Sequence, residues 1–152
     1  MSYLSIKHLL SRDKRVIIMG ILNITPDSFY DGQRYYQSKQ AFKYVKKMID
    51  EGVDIIDVGA ESSRPGAKPV SENMELERIA NILDIVKGNN VFYSIDSYKP
   101  NVAKFALENG FHIINDIHGG GVHGEMFEVA MEFKAPIVIM HMKGKPKTMQ
   151  ES

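Results

Sequence analysis

The sequence predicts an α/β fold built on a parallel sheet, and three observations carry that expectation. Short apolar runs recur along the 152 residues, a helix-period segment follows each of the first four runs, and polar side chains crowd the end of each run. The runs are continuous rather than alternating, as in strands buried on both faces. Connections of this kind are right-handed crossovers. Two architectures satisfy the pattern: an open doubly wound sheet, or part of a (β/α)₈ barrel.

The elements follow in order. Val16 to Ile24 is the first strand. Ser38 is placed to cap a helix over Lys39 to Asp50, with Phe42, Val45, Met48 and Ile49 on one face and Gly52 as its stop. Val53 to Val58 is the second strand. Ser71 caps the next helix, which turns Leu76, Ile79, Ile82, Leu83 and Val86 inward and ends at Gly88. Val91 to Ile95 is the third strand. Pro100 suits the first turn of a third helix with Val102, Ala103, Ala106 and Leu107 as its apolar stripe, closed by Gly110. His112 to Ile117 is the fourth strand. A fourth helix spans Gly124 to Lys134, its Met126, Phe127, Met131 and Phe133 assigned to the core, and Pro136 to Met142 is the fifth strand. No stretch has the composition of a linker or of a second domain.

Bulk properties narrow the function classes. Hydrophobic residues make up 43% and charged residues 25%, as in a soluble globular domain. Lys+Arg and Asp+Glu both total 19, so no broad basic field is present to hold nucleic acid or an anionic membrane. The absence of cysteine removes disulfides, thiolate nucleophiles and Cys-ligated metals, and fits a reducing compartment. The first fifteen residues are broken by Lys7, His8, Arg12, Asp13, Lys14 and Arg15 and do not read as a signal peptide, so the expected location is cytoplasmic.

Ligands of either architecture bind at the carboxyl ends of the parallel strands. The first run ends in Asn23, Thr25, Asp27 and Ser28; the second in Glu61, Ser62, Ser63 and Arg64; the third in Asp96 and Ser97. Asn115 and Asp116 interrupt the fourth, and His141 lies near the end of the fifth. With strands about 4.8 Å apart, five such ends surround a flat molecule of about bicyclic size. Singly, each residue has a plainer role: Asp96 as a helix cap, Asn115 as a loop residue, Arg64 before Pro65 as a solvated surface charge. The five histidines lack the spacing of a metal site. Gly119-Gly120-Gly121 matches neither a dinucleotide nor a Walker A loop and reads as a flexible turn.

Four blocks make a family recognisable. They are Met19-Gly20-Ile21-Leu22-Asn23-Ile24-Thr25-Pro26-Asp27-Ser28-Phe29, Asp57-Val58-Gly59-Ala60-Glu61-Ser62-Ser63-Arg64-Pro65-Gly66, Ser94-Ile95-Asp96-Ser97-Tyr98-Lys99-Pro100 and Ile113-Ile114-Asn115-Asp116-Ile117. In this order they closely resemble the dihydropteroate synthases of folate biosynthesis, with Pro136 to Gly144 as a weaker fifth block. The resemblance implies the (β/α)₈ barrel. It implies condensation of p-aminobenzoate with 6-hydroxymethyl-7,8-dihydropterin diphosphate, with Mg²⁺ assistance and release of diphosphate before the arylamine attacks. On the matched positions, Asp96 and Asn115 are implied as pterin contacts. Asn23 is implied as a Mg²⁺ ligand, and Ser63 and Arg64 as contacts to diphosphate and p-aminobenzoate. Thr25, Pro26, Asp27, Ser28 and Phe29 are implied as a closing loop, and Met140 as part of the pterin pocket. Asp96, Asn115 and Arg64 form the implied catalytic set.

Departures from the family pattern are small in chemistry: Ser63 and Ser97 stand for Thr, Ala60 for Gly and His118 for Ser. The departure in length is large. A full barrel takes about 250 residues, and the pattern here stops after the fifth strand. Residues 1–152 are therefore expected to be the N-terminal portion of a pterin-binding barrel, with strands 1 to 5 present. Its outer strands are expected to be left as apolar edges that invite association. The resemblance implies small-molecule partners, a homodimeric full-length enzyme and a place for a completing chain that supplies strands 6 to 8. The piece by itself is expected to be inactive. Two other readings remain: a pterin-binding module without synthase activity, and a pterin-dependent methyl-transfer domain.

Overall fold

The computed structural model describes residues 16–25, 34–62, 69–117, 119 and 124–140, without the side chains of 34–38. Five strands, β1 (Met19–Asn23), β2 (Ile55–Gly59), β3 (Phe92–Asp96), β4 (Ile113–Asp116) and β5 (Ile137–Ile139), form one parallel sheet in the order β1-β2-β3-β4-β5. Sequential order with helical crossovers puts every helix on the same face of the sheet. A doubly wound sheet reverses its order part-way; this one does not. The fold is thus an incomplete barrel of the (β/α)₈ type, with β1 and β5 at its two edges.

The helices are α1 (Arg34–Asp50), α2 (Glu72–Ala80), α3 (Leu83–Lys87), α4 (Pro100–Glu108) and α5 (Glu125–Phe133). In a parallel pair, residues in register share a face, and neighbours along a strand alternate. Leu22, Val58, Ile95, Ile114 and Ile137 form one such row on the helix-covered face. There Val58, Ile95 and Ile114 are fully buried against Val45, Ile79, Val102 and Ala106. Burying an aliphatic side chain of this size contributes roughly 1.5–3 kcal/mol, so this row holds helices and sheet together. The opposite face carries a smaller apolar floor of Ile55, Phe92 and Ile113. Above that floor the face becomes polar.

Several expectations are corrected. The first helix begins at Arg34, so Ser38 lies inside α1 and does not cap it. Ser71 does cap α2, its Oγ accepting the Met74 N–H at 3.4 Å. The expected single second helix is two, because the chain tightens at Asn81–Ile82 to an Ile82 N–H to Ile79 O bond and restarts. Pro100 opens α4 as expected, and Gly52 and Gly110 follow α1 and α4 at φ of +88° and +101°, a region other residues enter at a cost. Phe42 is exposed because Ala41 and Val45, one turn apart, define the inner face of α1. Phe127 and Met131 are exposed for the same reason. The inward stripe of α5 is Met126, Val129, Ala130 and Phe133, and the other two stand one residue out of phase.

The strands are shorter than the apolar runs, because runs extend into the strand approaches while pairing stops at the register ends. As expected, apolar residues stay exposed along the edges: Ile18, Met19 and Ile21 beside β1, and Val138, Ile139 and Met140 beside β5. No helix among the described residues is long and apolar enough to cross a membrane.

Candidate functional site

One row of paired residues builds the site. Asn23 pairs with Gly59, Gly59 with Asp96, Asp96 with Asn115, and Asn115 with Val138. Asn23, Gly59 and Asp96 end their strands, Asn115 and Val138 stand one residue before the ends of theirs, and by register all five lie on the face away from the helices. Directly beneath, the same face carries Asp57 and Ser94. Three residues that are 73 and 19 positions apart in the chain, Asn23, Asp96 and Asn115, thereby share one rim.

Gly59 is the open place in that row. A Cβ there would stand 3.1 Å from Asn23 Oδ1 and 3.2 Å from Asp96 Oδ2. The missing side chain lets two oxygens from neighbouring strands occupy the same space. Asn115 donates its Nδ2 to Asp57 Oδ2 at 2.9 Å, which fixes the amide and leaves its oxygen directed elsewhere as an acceptor. Asp57 is buried, and its Oδ1 meets no donor among the described residues.

Burial raises the pKa of Asp57, against the opposing effect of its hydrogen-bonding neighbours. Asp96 is pushed up to about 7, first by burial and then by the nearby carboxylates Asp57, Glu75, Asp116 and Glu61. A carboxyl poised between its two forms at neutral pH, on the rim of the site, is a candidate functional group. Nor does Asp96 act as a helix cap: the residue preceding α4 is Lys99, which makes no side-chain cap bond.

The expected residues divide accordingly. Asn23, Asp96 and Asn115 come together on the rim. Thr25 is buried two residues past β1, where the Ile24 N–H donates to Gly59 O at 2.8 Å. Met140 follows β5, anchored by its N–H to Asp116 O at 3.2 Å and half exposed. Pro26, Asp27, Ser28, Phe29, Ser63 and Arg64 lie outside the described residues, as do His118, His123 and His141. His112 has a structural role, its Nδ1 accepting the Tyr93 N–H at 3.2 Å and its ring edge-on to Phe92. Among the described residues no group of three or more His, Cys, Asp or Glu is placed to hold a metal ion.

Sequence reasoning missed Asp57, and also a charged cluster behind the rim. Lys99 Nζ bonds Glu61 Oε2 and lies 2.6 Å from Glu75 Oε2, over the Tyr98 ring. Burial works against the Lys99 cation, but its bonds to Glu61 and Glu75 outweigh it and raise the pKa to about 12. An acidic residue inside an apolar strand (Asp57 in Ile-Ile-Asp-Val) was the available signal for the first. For the second there was none, because Glu75 on a polar helix looks like any solvated charge.

Residues 19–152 match the family described as pterin binding enzyme. The chain belongs to that family. It is 47% identical over 125 residues to the dihydropteroate synthase of Streptococcus pyogenes serotype M1, covering 82% of this chain and 47% of that one. A crystal structure of the Clostridium difficile dihydropteroate synthase, determined in the presence of pteroic acid, superposes with a TM-score of 0.83 at 40% identity over 88% of this chain and 51% of that one. The Xanthomonas albilineans dihydropteroate synthase with 4-aminobenzoic acid gives a TM-score of 0.78 at 35% identity, over 86% and 48%. The chain thus spans about half the length of these synthases. The fold and the dihydropteroate synthase resemblance read from the four blocks are both borne out.

Proposed function

We propose that the protein acts in dihydropteroate synthesis, joining p-aminobenzoate to 6-hydroxymethyl-7,8-dihydropterin diphosphate with loss of diphosphate. The observation that carries this reading is the single register row Asn23–Gly59–Asp96–Asn115 over buried Asp57. A pterin ring presents N–H donors and ring-nitrogen acceptors along one edge. Asn115, its Nδ2 committed to Asp57, offers an oxygen to such a donor. A ring N–H donor or a developing cation beside Asp96 favours its ionised form, so that it meets the ring as a carboxylate with its proton released to solvent. When diphosphate departs, positive charge spreads from the exocyclic methylene into the ring, and a half-buried carboxylate stabilises it more than water would.

Ser63 and Arg64 supply a hydroxyl and a guanidinium after β2, suited to diphosphate and to the p-aminobenzoate carboxylate. Thr25 to Phe29 follow β1 and serve as the loop that closes over the second substrate and excludes water. The donor chemistry at Asn23 fits Mg²⁺, a hard cation that takes an amide oxygen together with phosphate oxygens and water. Bound there, the ion would offset charge on the leaving diphosphate. In the same reading the remaining strands come from further chain or from a completing chain, the full enzyme is a homodimer located in the cytoplasm, and residues 1–152 alone show no turnover.

The test is direct: dihydropteroate formation and diphosphate release by the complete protein. Absence of both, with the protein folded, defeats the proposal. Tighter binding of methyltetrahydrofolate than of the dihydropterin diphosphate would instead favour a methyl-transfer domain.

A further inference from the structure

Asp57 is buried in the middle of β2, Asn115 stands on β4, and β3 runs between them. In register, Asp57 is opposite Ser94 and Asn115 is opposite Asp96. The bond of 2.9 Å from Asn115 Nδ2 to Asp57 Oδ2 therefore passes over β3 and joins residues 58 positions apart in the chain. Strands once removed from each other lie about 10 Å apart in a sheet, so two side chains this short meet only by leaning toward each other. Ser94, the β3 residue beside that path, is small and wholly buried. The Asn115 backbone is held from both sides: it pairs with Asp96 and Val138, and its carbonyl accepts the Ser97 N–H at 3.2 Å. Only the half-buried amide is left to orient, and Asp57 holds one end of it.

We propose that Asp57 is a positioning residue that selects the orientation of the Asn115 amide and so sets which hydrogen-bonding partner this part of the rim accepts. An amide can present either N–H donors or an acceptor oxygen. An ionised carboxylate only accepts, and a donor bonded to it favours that form. Asp57 therefore draws Nδ2 toward β2. The reversed amide would set Asn115 Oδ1 against Asp57 Oδ2, acceptor against acceptor. With Nδ2 committed, Oδ1 is the group left for a ligand, and it calls for an N–H on the edge of a flat heterocycle. A ring that offers only an acceptor there is selected against, because a buried acceptor without a donor loses more than one bond gains. The inference rests on the pterin reading for its ligand; the orientation of the amide does not.

The experiment is a double-mutant cycle in the complete protein, with Asp57→Ala and Asn115→Ala made singly and together. Affinity for 6-hydroxymethyl-7,8-dihydropterin diphosphate is read by calorimetry, and the Asn115 side-chain amide by ¹⁵N–¹H resonance and proton exchange. Asp57→Ala alone should weaken binding about tenfold, but by less than about twofold once Asn115 is already alanine. The Asn115 amide resonances should shift and exchange faster. Asp57→Asn, which keeps an acceptor oxygen for Nδ2, should hold affinity within about threefold. Should Asp57→Ala not fold, Asp57→Ser takes its place in the cycle, since its shorter side chain cannot reach across β3. Equal losses with and without Asn115, no loss at all, or a loss in Asp57→Asn as large as in Asp57→Ala overturns the proposal. If the folded wild type binds no dihydropterin diphosphate, the pterin reading fails while the resonances still decide the orientation: a shifted, faster-exchanging Asn115 amide in Asp57→Ala supports it, and an unchanged one refutes it.

Discussion

Replacing Asp96 with asparagine should change how stability depends on pH. In the folded chain the carboxyl holds its proton up to about pH 7, whereas unfolded it loses it near 3.8. Between those values the folded state binds more protons than the unfolded one, so stability falls as pH rises. The contribution is fully present below 3.8 and is lost as pH passes through 7. A pKa difference of about 3 corresponds to about 4 kcal/mol in total. About 3 kcal/mol of it falls between pH 5 and 8, with the slope concentrated below 7. Asp57, also raised by burial, adds a slope of the same sign that the variant retains. The assay is urea unfolding of wild type and Asp96→Asn across that range at fixed salt. The variant should gain on the wild type by about 3 kcal/mol from pH 5 to 8. A difference that stays constant within about 0.5 kcal/mol would refute the view that Asp96 is desolvated and crowded by carboxylates.

Two further perturbations probe the surroundings of the rim. Lys99→Met leaves Glu75 buried without its cation and should cost about 3–5 kcal/mol in urea unfolding at pH 7; a loss below about 1 kcal/mol would refute the buried-pair reading. Gly59→Ala places a methyl within 3.2 Å of Asn23 Oδ1 and Asp96 Oδ2. Titration should show pterin affinity reduced about tenfold while the unfolding midpoint barely moves.

The architecture was legible because buried parallel strands are written as apolar runs, and because glycines and Pro100 mark helix ends. Asn23, Asp96 and Asn115 were legible as polar residues breaking those runs. What escaped depended on partners distant in sequence. Phe42, Phe127 and Met131 have helical spacing, but inner and outer faces differ by one residue, and only the sheet decides which is covered. The break at Asn81–Ile82 keeps the apolar spacing of Ile79, Ile82 and Ile85 intact, so periodicity alone does not reveal it. Asp57 becomes a site residue only when register places it below Asn115. The Lys99 cluster draws on β2, α2 and the end of β3, a conjunction no local pattern records.

The central claim is that the rim of Asn23, Asp96 and Asn115 takes a pterin. The most direct test is calorimetric titration of the complete protein with 6-hydroxymethyl-7,8-dihydropterin diphosphate, for wild type and for Asn115→Ala and Asp96→Asn. The account predicts one saturable site in the wild type and affinity weakened at least about tenfold in each variant, with folding retained. Absence of binding in the folded wild type, or the same affinity in all three, would contradict it.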